Sequence, residues 1–108
     1  MVDILRSEFP STKIFTIPTG WTSVNLDQMN MNNELLDDIT RFGPQSTSLF
    51  FDNKGHQGNI IREAGSLLWL NSIYGVDIST FSYDTGFNTN LHDVAKQIMD
   101  SHDPNYKL

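Results

Sequence analysis

Apolar residues in this chain come in short, scattered groups, and the longest uninterrupted run is Leu67–Leu70. A membrane-spanning helix needs about twenty consecutive apolar residues, so no stretch here can serve as one. The fold must instead be assembled from short elements that share one core. With 108 residues and no cysteine, that core is built without disulfides or thiolate-bound metal. Hydrophobic residues make up 38% of the chain, too many for a disordered acidic tail. The expectation is therefore a single globular domain over residues 1–108, with 103–108 as a frayed tail. The amino end carries no basic segment followed by an apolar one, so no secretory signal is expected and a cytoplasmic location follows.

Periodicity supplies the elements. Leu91, Val94, Ala95, Ile98 and Met99 recur at helical spacing, with Asn90 placed to cap the first turn and Pro104 beyond the end. Leu35, Leu36, Ile39 and Phe42 show the same spacing and predict a helix over 33–42, capped by Asn32 or Asn33 and stopped by Gly43-Pro44. A short amphipathic helix is expected over residues 2–8. Lys13–Ile17 reads as a β-prone run, Trp21–Asn25 as a weaker strand, and Asn25–Asn33 as a loop or an early helical turn.

Ser46–Phe51 reads as a strand followed by the turn residues Asp52-Asn53-Lys54-Gly55, which predicts a hairpin returning through about His56–Arg62. A short helix over Ser66–Tyr74, closed by Gly75, would follow. A rival reading makes the whole stretch from Asn59 one crossover helix, because Ile60, Ile61, Ala64, Leu67 and Leu68 also fit one face. Gly65 weighs against it. Val76–Tyr83 reads as a strand with a bulge near Ser79–Thr80, and Asp84-Thr85-Gly86 as a turn. The sum is an α+β domain: a small, mostly antiparallel sheet with a central hairpin, packed by two to four helices including the amphipathic C-terminal one.

Charge bears on partners. Seven Lys and Arg stand against thirteen Asp and Glu, a formal charge of −6. The basic residues are dispersed along the chain, without the stripe a nucleic-acid binder uses to displace counterions, so neither nucleic acid nor an anionic membrane is expected as partner. A basic protein is, because opposite potentials steer encounter. The bland counterpart is that the charge only keeps the domain soluble.

Catalytic and metal signatures are thin. His56, His92 and His102 are never three or four residues apart, so no helix presents a paired ligand face, and no metal or cofactor is expected. Gly-x-Ser-x-Gly and phosphate-loop patterns are absent. Gly55-His56-Gln57-Gly58 is better explained by turn glycines than by an RNA-clamping loop. Glu63, within an apolar stretch, would become a general acid if buried, with His56 as its partner, but an exposed Glu63 paired with Arg62 or a neighbouring strand is the favoured expectation.

The surface carries more. Glu34, Asp37 and Asp38 would form an anionic patch on the 33–42 helix, with Asp93 and Asp100 on the last helix. Trp21, Tyr74, Tyr83 and Phe87 fall near element ends, where aromatics anchor interfaces. An acidic surface rimmed by aromatics matches a site built for phosphates. The leading expectation is thus a non-enzymatic binding module that neutralises a basic protein, such as an immunity protein or antitoxin covering a nuclease toxin's active site. Its contact residues would be Glu34, Asp37, Asp38, Trp21 and Tyr83. The alternatives are a small soluble enzyme using Glu63 and His56, or a homo-oligomeric subunit sealed through Leu67–Leu70.

Overall fold

A computed structural model describes all residues, Met1–Leu108. In chain order the elements are α1 (Val2–Glu8), α2 (Gly20–Met31), β1 (Thr40–Phe42), β2 (Ser48–Phe50), α3 (Asn59–Tyr74), α4 (Leu91–Ser101) and a 3-10 turn at Pro104–Tyr106. It is a small domain of four helices and a two-stranded parallel sheet.

The best-patterned element forms as its residues dictate. In α4 the Asn90 Oδ1 accepts the Asp93 N–H at 3.0 Å, and Leu91, Val94, Ala95, Ile98 and Met99 are buried. They close on α3, which is one continuous helix from Asn59 and buries Ile60, Ile61, Ala64, Gly65, Leu67 and Leu68. Gly75 ends it in the left-handed region at φ +67°. The expected hairpin with a separate short helix is therefore corrected in favour of the longer helix. It is not a crossover, since both strands precede it. The Asp52–Gly55 turn does form: Asp52 Oδ1 accepts the N–H groups of Lys54 and His56 at 2.9 and 3.1 Å. The return pairing, however, is limited to one antiparallel bridge, Phe50 to Gln57, before α3 begins.

Gly65 does not interrupt α3, because α2 packs over it. A Cβ at Gly65 would meet nothing nearer than the Thr22 hydroxyl at 4.0 Å. Gly65→Ala is therefore expected to stabilise the protein by about 0.5–1 kcal/mol, by removing unfolded-state freedom without a clash. Urea unfolding measures this, and a loss of stability would mean that α2 and α3 lie closer than described.

The sheet corrects the antiparallel expectation. β1 and β2 run parallel, with Thr40 opposite Ser48 and Phe42 opposite Phe50. Parallel strands normally need a long crossover. Here each strand spans only about 10 Å, so residues 43–47 suffice to return the chain. A turn from Pro44 to Thr47 closes that return, and the Ser48 hydroxyl donates to the Pro44 carbonyl at 2.6 Å.

Other segments depart from expectation as well. Residues 20–31 are one helix, which replaces the strand expected at Trp21–Asn25 and goes well beyond the early helical turn that is one reading of Asn25–Asn33. The helix expected over 33–42 is absent, because Asn33 adopts φ +56° as the left-handed residue that ends α2. Its N–H bonds to Asn30 O and the Glu34 N–H to Met29 O, at 3.2 and 2.8 Å, the paired bonds of a Schellman motif. Leu35 and Ile39 still reach the core, while Leu36 and Phe42 are exposed. Val76–Tyr83 is not a strand either: Asp77 takes the Ser79 N–H and hydroxyl into a tight turn, and Ile78 is buried. Lys13–Ile17 belongs to no strand or helix, with the Thr16 N–H donating to Tyr106 O at 2.9 Å. The 103–108 tail, expected to fray, forms the 3-10 turn, and Asp103 accepts the Asn105 N–H.

The core gathers Leu26 of α2, Leu49 of β2, Ile78 and the inner faces of α3 and α4. α1 buries no residue. The radius of gyration, 15.2 Å, exceeds the roughly 13 Å of a compact domain of this length, as a flattened body of 46 × 33 × 20 Å requires.

Candidate functional site: the groove between α2 and α4

Trp21, Asn25 and Gln28 fall on one face of α2, and Asp93, Gln97 and Ser101 stand four residues apart along α4. Where these rows face each other they leave two adjoining depressions that share Asn25 and Gln97. The first, about 360 Å³, is bounded by Trp21, Ser101, His102 and Asp103. The second, about 490 Å³, is bounded by Gln28, Glu34, Leu36 and Asp93. No lysine or arginine lines either one. The result is one groove with an exposed indole at one end, side-chain amides in the middle and carboxylates towards both ends.

Several of these groups are held in place. Asp93 accepts from Gln97 Nε2 at 3.1 Å, fixing that amide across one helical turn. His102 Nε2 shares a 2.9 Å hydrogen bond with the Thr16 hydroxyl. Trp21, by contrast, is 57% exposed and free to be covered.

The five residues expected to share a docking face are divided by the fold. Trp21 and Glu34 line the groove. Asp38 is exposed but lies outside its lining. Asp37 points inward to the loop before α4: its carboxylate accepts the Asn88 and Thr89 N–H groups at 2.8 and 2.9 Å and the Thr89 hydroxyl at 2.7 Å. The Thr89 oxygen in turn accepts the Leu36 N–H at 2.9 Å. Burial would raise the Asp37 pKa, but the Thr89 hydroxyl and the two backbone N–H groups outweigh it and hold the carboxyl below its ordinary value. Asp37 thus ties the floor of the groove together. Tyr83 sits against α3, donating its hydroxyl to Glu63 at 3.0 Å and stacking on Phe81. That hydrogen bond, with the negative charge of Glu63, raises the phenol's pKa.

Arg41, close in sequence to the 34–38 carboxylates, pairs with Asp27 of α2 through two 3.1 Å hydrogen bonds. The pairing of Glu63 with His56 does not occur in one pocket: His56 borders a shallow depression with Phe51 and Arg62, and Glu63 is not among its lining residues. His56 instead contacts Asp52, whose pKa it lowers chiefly through their side-chain hydrogen bond. No three His, Asp or Glu side chains are grouped closely enough to hold a metal ion, and no helix is long and apolar enough to cross a membrane.

Asn25, Gln97 and Asp93 become groove residues only through the packing of α2 on α4. The chain matches no protein-family model, no curated protein and no solved structure.

Proposed function

We propose that the chain is a protein-binding module whose α2–α4 groove receives a basic segment of a partner protein. The observation that carries this reading is the lining itself: Glu34, Asp93 and Asp103 with side-chain amides, no cation, and an exposed Trp21 at one end. Carboxylates attract a lysine or arginine over distance, amides accept its hydrogen bonds, and an indole face takes a guanidinium or an aliphatic stem. A partner whose own site is built from phosphate-binding cations fits this chemistry. The finer proposal is therefore an inhibitor of the immunity or antitoxin type, acting on a nuclease toxin within the cytoplasm. The carboxylates would occupy the cations that the toxin reserves for nucleic acid.

The test compares capture by the purified protein and by the Glu34→Lys/Asp93→Lys variant, from cells of the native source across a salt series. A basic protein retained by the first and lost by the second supports the reading. With that partner in hand, the double charge reversal is expected to slow association by about tenfold or more and to flatten its salt dependence. Asp38→Lys, outside the groove, should change it far less. Equal effects of Asp38→Lys and the double variant would move the binding face away from the groove. An inhibitor further requires that stoichiometric addition suppress the partner's nuclease activity.

A further inference from the structure

The basic side chains are dispersed along the sequence, yet the fold brings three of the seven to one place. Arg6 of α1, Lys13 of the loop that follows it and Lys107 of the tail line a depression of about 590 Å³ that shares no residue with the α2–α4 groove. No aspartate or glutamate lines it.

Each cation is left with its charge uncompensated by a side chain. Arg6 Nε donates to Ile14 O at 2.8 Å and Nη1 to Asn105 O at 2.5 Å, with the guanidinium 5.8 Å from the Tyr106 ring centroid. Carbonyl acceptors orient a guanidinium without neutralising it, and Nη2 remains without a partner in the chain. The chain's ion pairs are Arg41–Asp27, His56–Asp52 and Lys96–Asp100, so neither Lys13 nor Lys107 takes part in one. No backbone carbonyl accepts the N–H of Lys13 or Ile14 in the same wall. Three cations that line one depression with no aspartate or glutamate in its wall repel one another, and an anion removes that repulsion.

We propose that this depression binds a polyvalent oxyanion of the phosphate type, such as a diphosphate group. Arg6, already oriented, supplies a directed donor, while the two ammonium groups supply mobile point charges that adjust to the ligand. The site is independent of the groove reading.

Calorimetric titration with inorganic pyrophosphate at constant ionic strength tests it. One-to-one binding is expected, tighter than that of inorganic phosphate. Lys13→Gln and Lys107→Gln should each weaken it by about tenfold, the loss of one charge-assisted contact. Lys54→Gln, outside the depression, should leave it unchanged. In the wild-type protein the amide resonances of Lys13 and Ile14 should move during the titration, a readout independent of any effect of the variants on folding. Absence of saturable binding, an equal loss with Lys54→Gln, or stationary Lys13 and Ile14 resonances would each overturn the proposal.

Discussion

Gly58→Ala is expected to cost the protein about 3 kcal/mol or more, and to lower its thermal midpoint by more than about 10 °C. Backbone strain is not the reason, since φ −70° and ψ 172° are open to alanine. The obstacle is the Ser48 carbonyl oxygen, which would lie 1.8 Å from the added Cβ. That oxygen has no easy retreat. Gly58 N–H donates to Leu49 O at 2.6 Å and Asn59 N–H to Gln45 O at 2.9 Å, so β2 and the loop before it are both bonded to the start of α3 around the clash. Moving them apart would also disturb Leu49 and Ile60, both buried. Thermal unfolding followed by circular dichroism decides the matter, and an unchanged midpoint would contradict the described junction. The contrast with Gly65→Ala is informative: one chain, two buried glycines and opposite signs, set by what stands where the methyl would go.

Asp37→Ala is expected to destabilise by about 2–4 kcal/mol, because it leaves the donors of Asn88 and Thr89 without their charged acceptor. Asp37→Asn keeps the shape and one acceptor oxygen, so it should cost roughly half as much. The pH dependence has a definite sign. The folded-state pKa of Asp37 is depressed, so its contribution is complete above the unfolded value of about 4 and is lost as pH falls through the lower folded value. Asp52 and Asp77, held low first by the His56 and Ser79 side-chain hydrogen bonds respectively, act in the same direction. Denaturant midpoints measured between neutral pH and pH 3 should therefore fall towards acid, less steeply in Asp37→Asn than in the wild type. Parallel curves for the two proteins would mean that Asp37 is not the clamp described.

What could be read from the residues follows physical lines. α4 announces itself because local pattern and tertiary burial agree there, whereas α1, the Asp52–Gly55 turn and the stop at Gly75 follow from local signals alone. α2 does not, because it buries Thr22 and Leu26 while turning Trp21, Val24 and Met31 outward, which leaves no apolar stripe to detect. The 33–42 segment misleads for a different reason. Asparagine is favoured both before a helix and in the left-handed position after one, and Asn33 takes the second role. In Val76–Tyr83 the β-prone residues flank an Asp77 turn that overrides them.

The candidate site was legible only in fragments. Trp21 and Glu34 are conspicuous as residues and do line the groove, whereas Asp37 is conspicuous and serves the loop instead. The side-chain amides of Asn25 and Gln97 carry no signal until α2 and α4 meet. The convergence of Arg6, Lys13 and Lys107 is likewise a product of the termini folding together, invisible in a linear count of charge.

The chain's two tryptophans allow the groove to be tested within one molecule. Trp21 lines it and Trp69 lies exposed on α3, so their indole N–H resonances report on different faces. Titrating the isotopically labelled protein with an arginine-rich peptide should move the Trp21 indole and the Asn25 and Gln97 side-chain amides together, with one affinity that falls as salt rises, and leave the Trp69 indole in place. Movement of Trp69 with Trp21 unmoved, or no movement of either, would contradict the assignment of the α2–α4 groove as the binding surface.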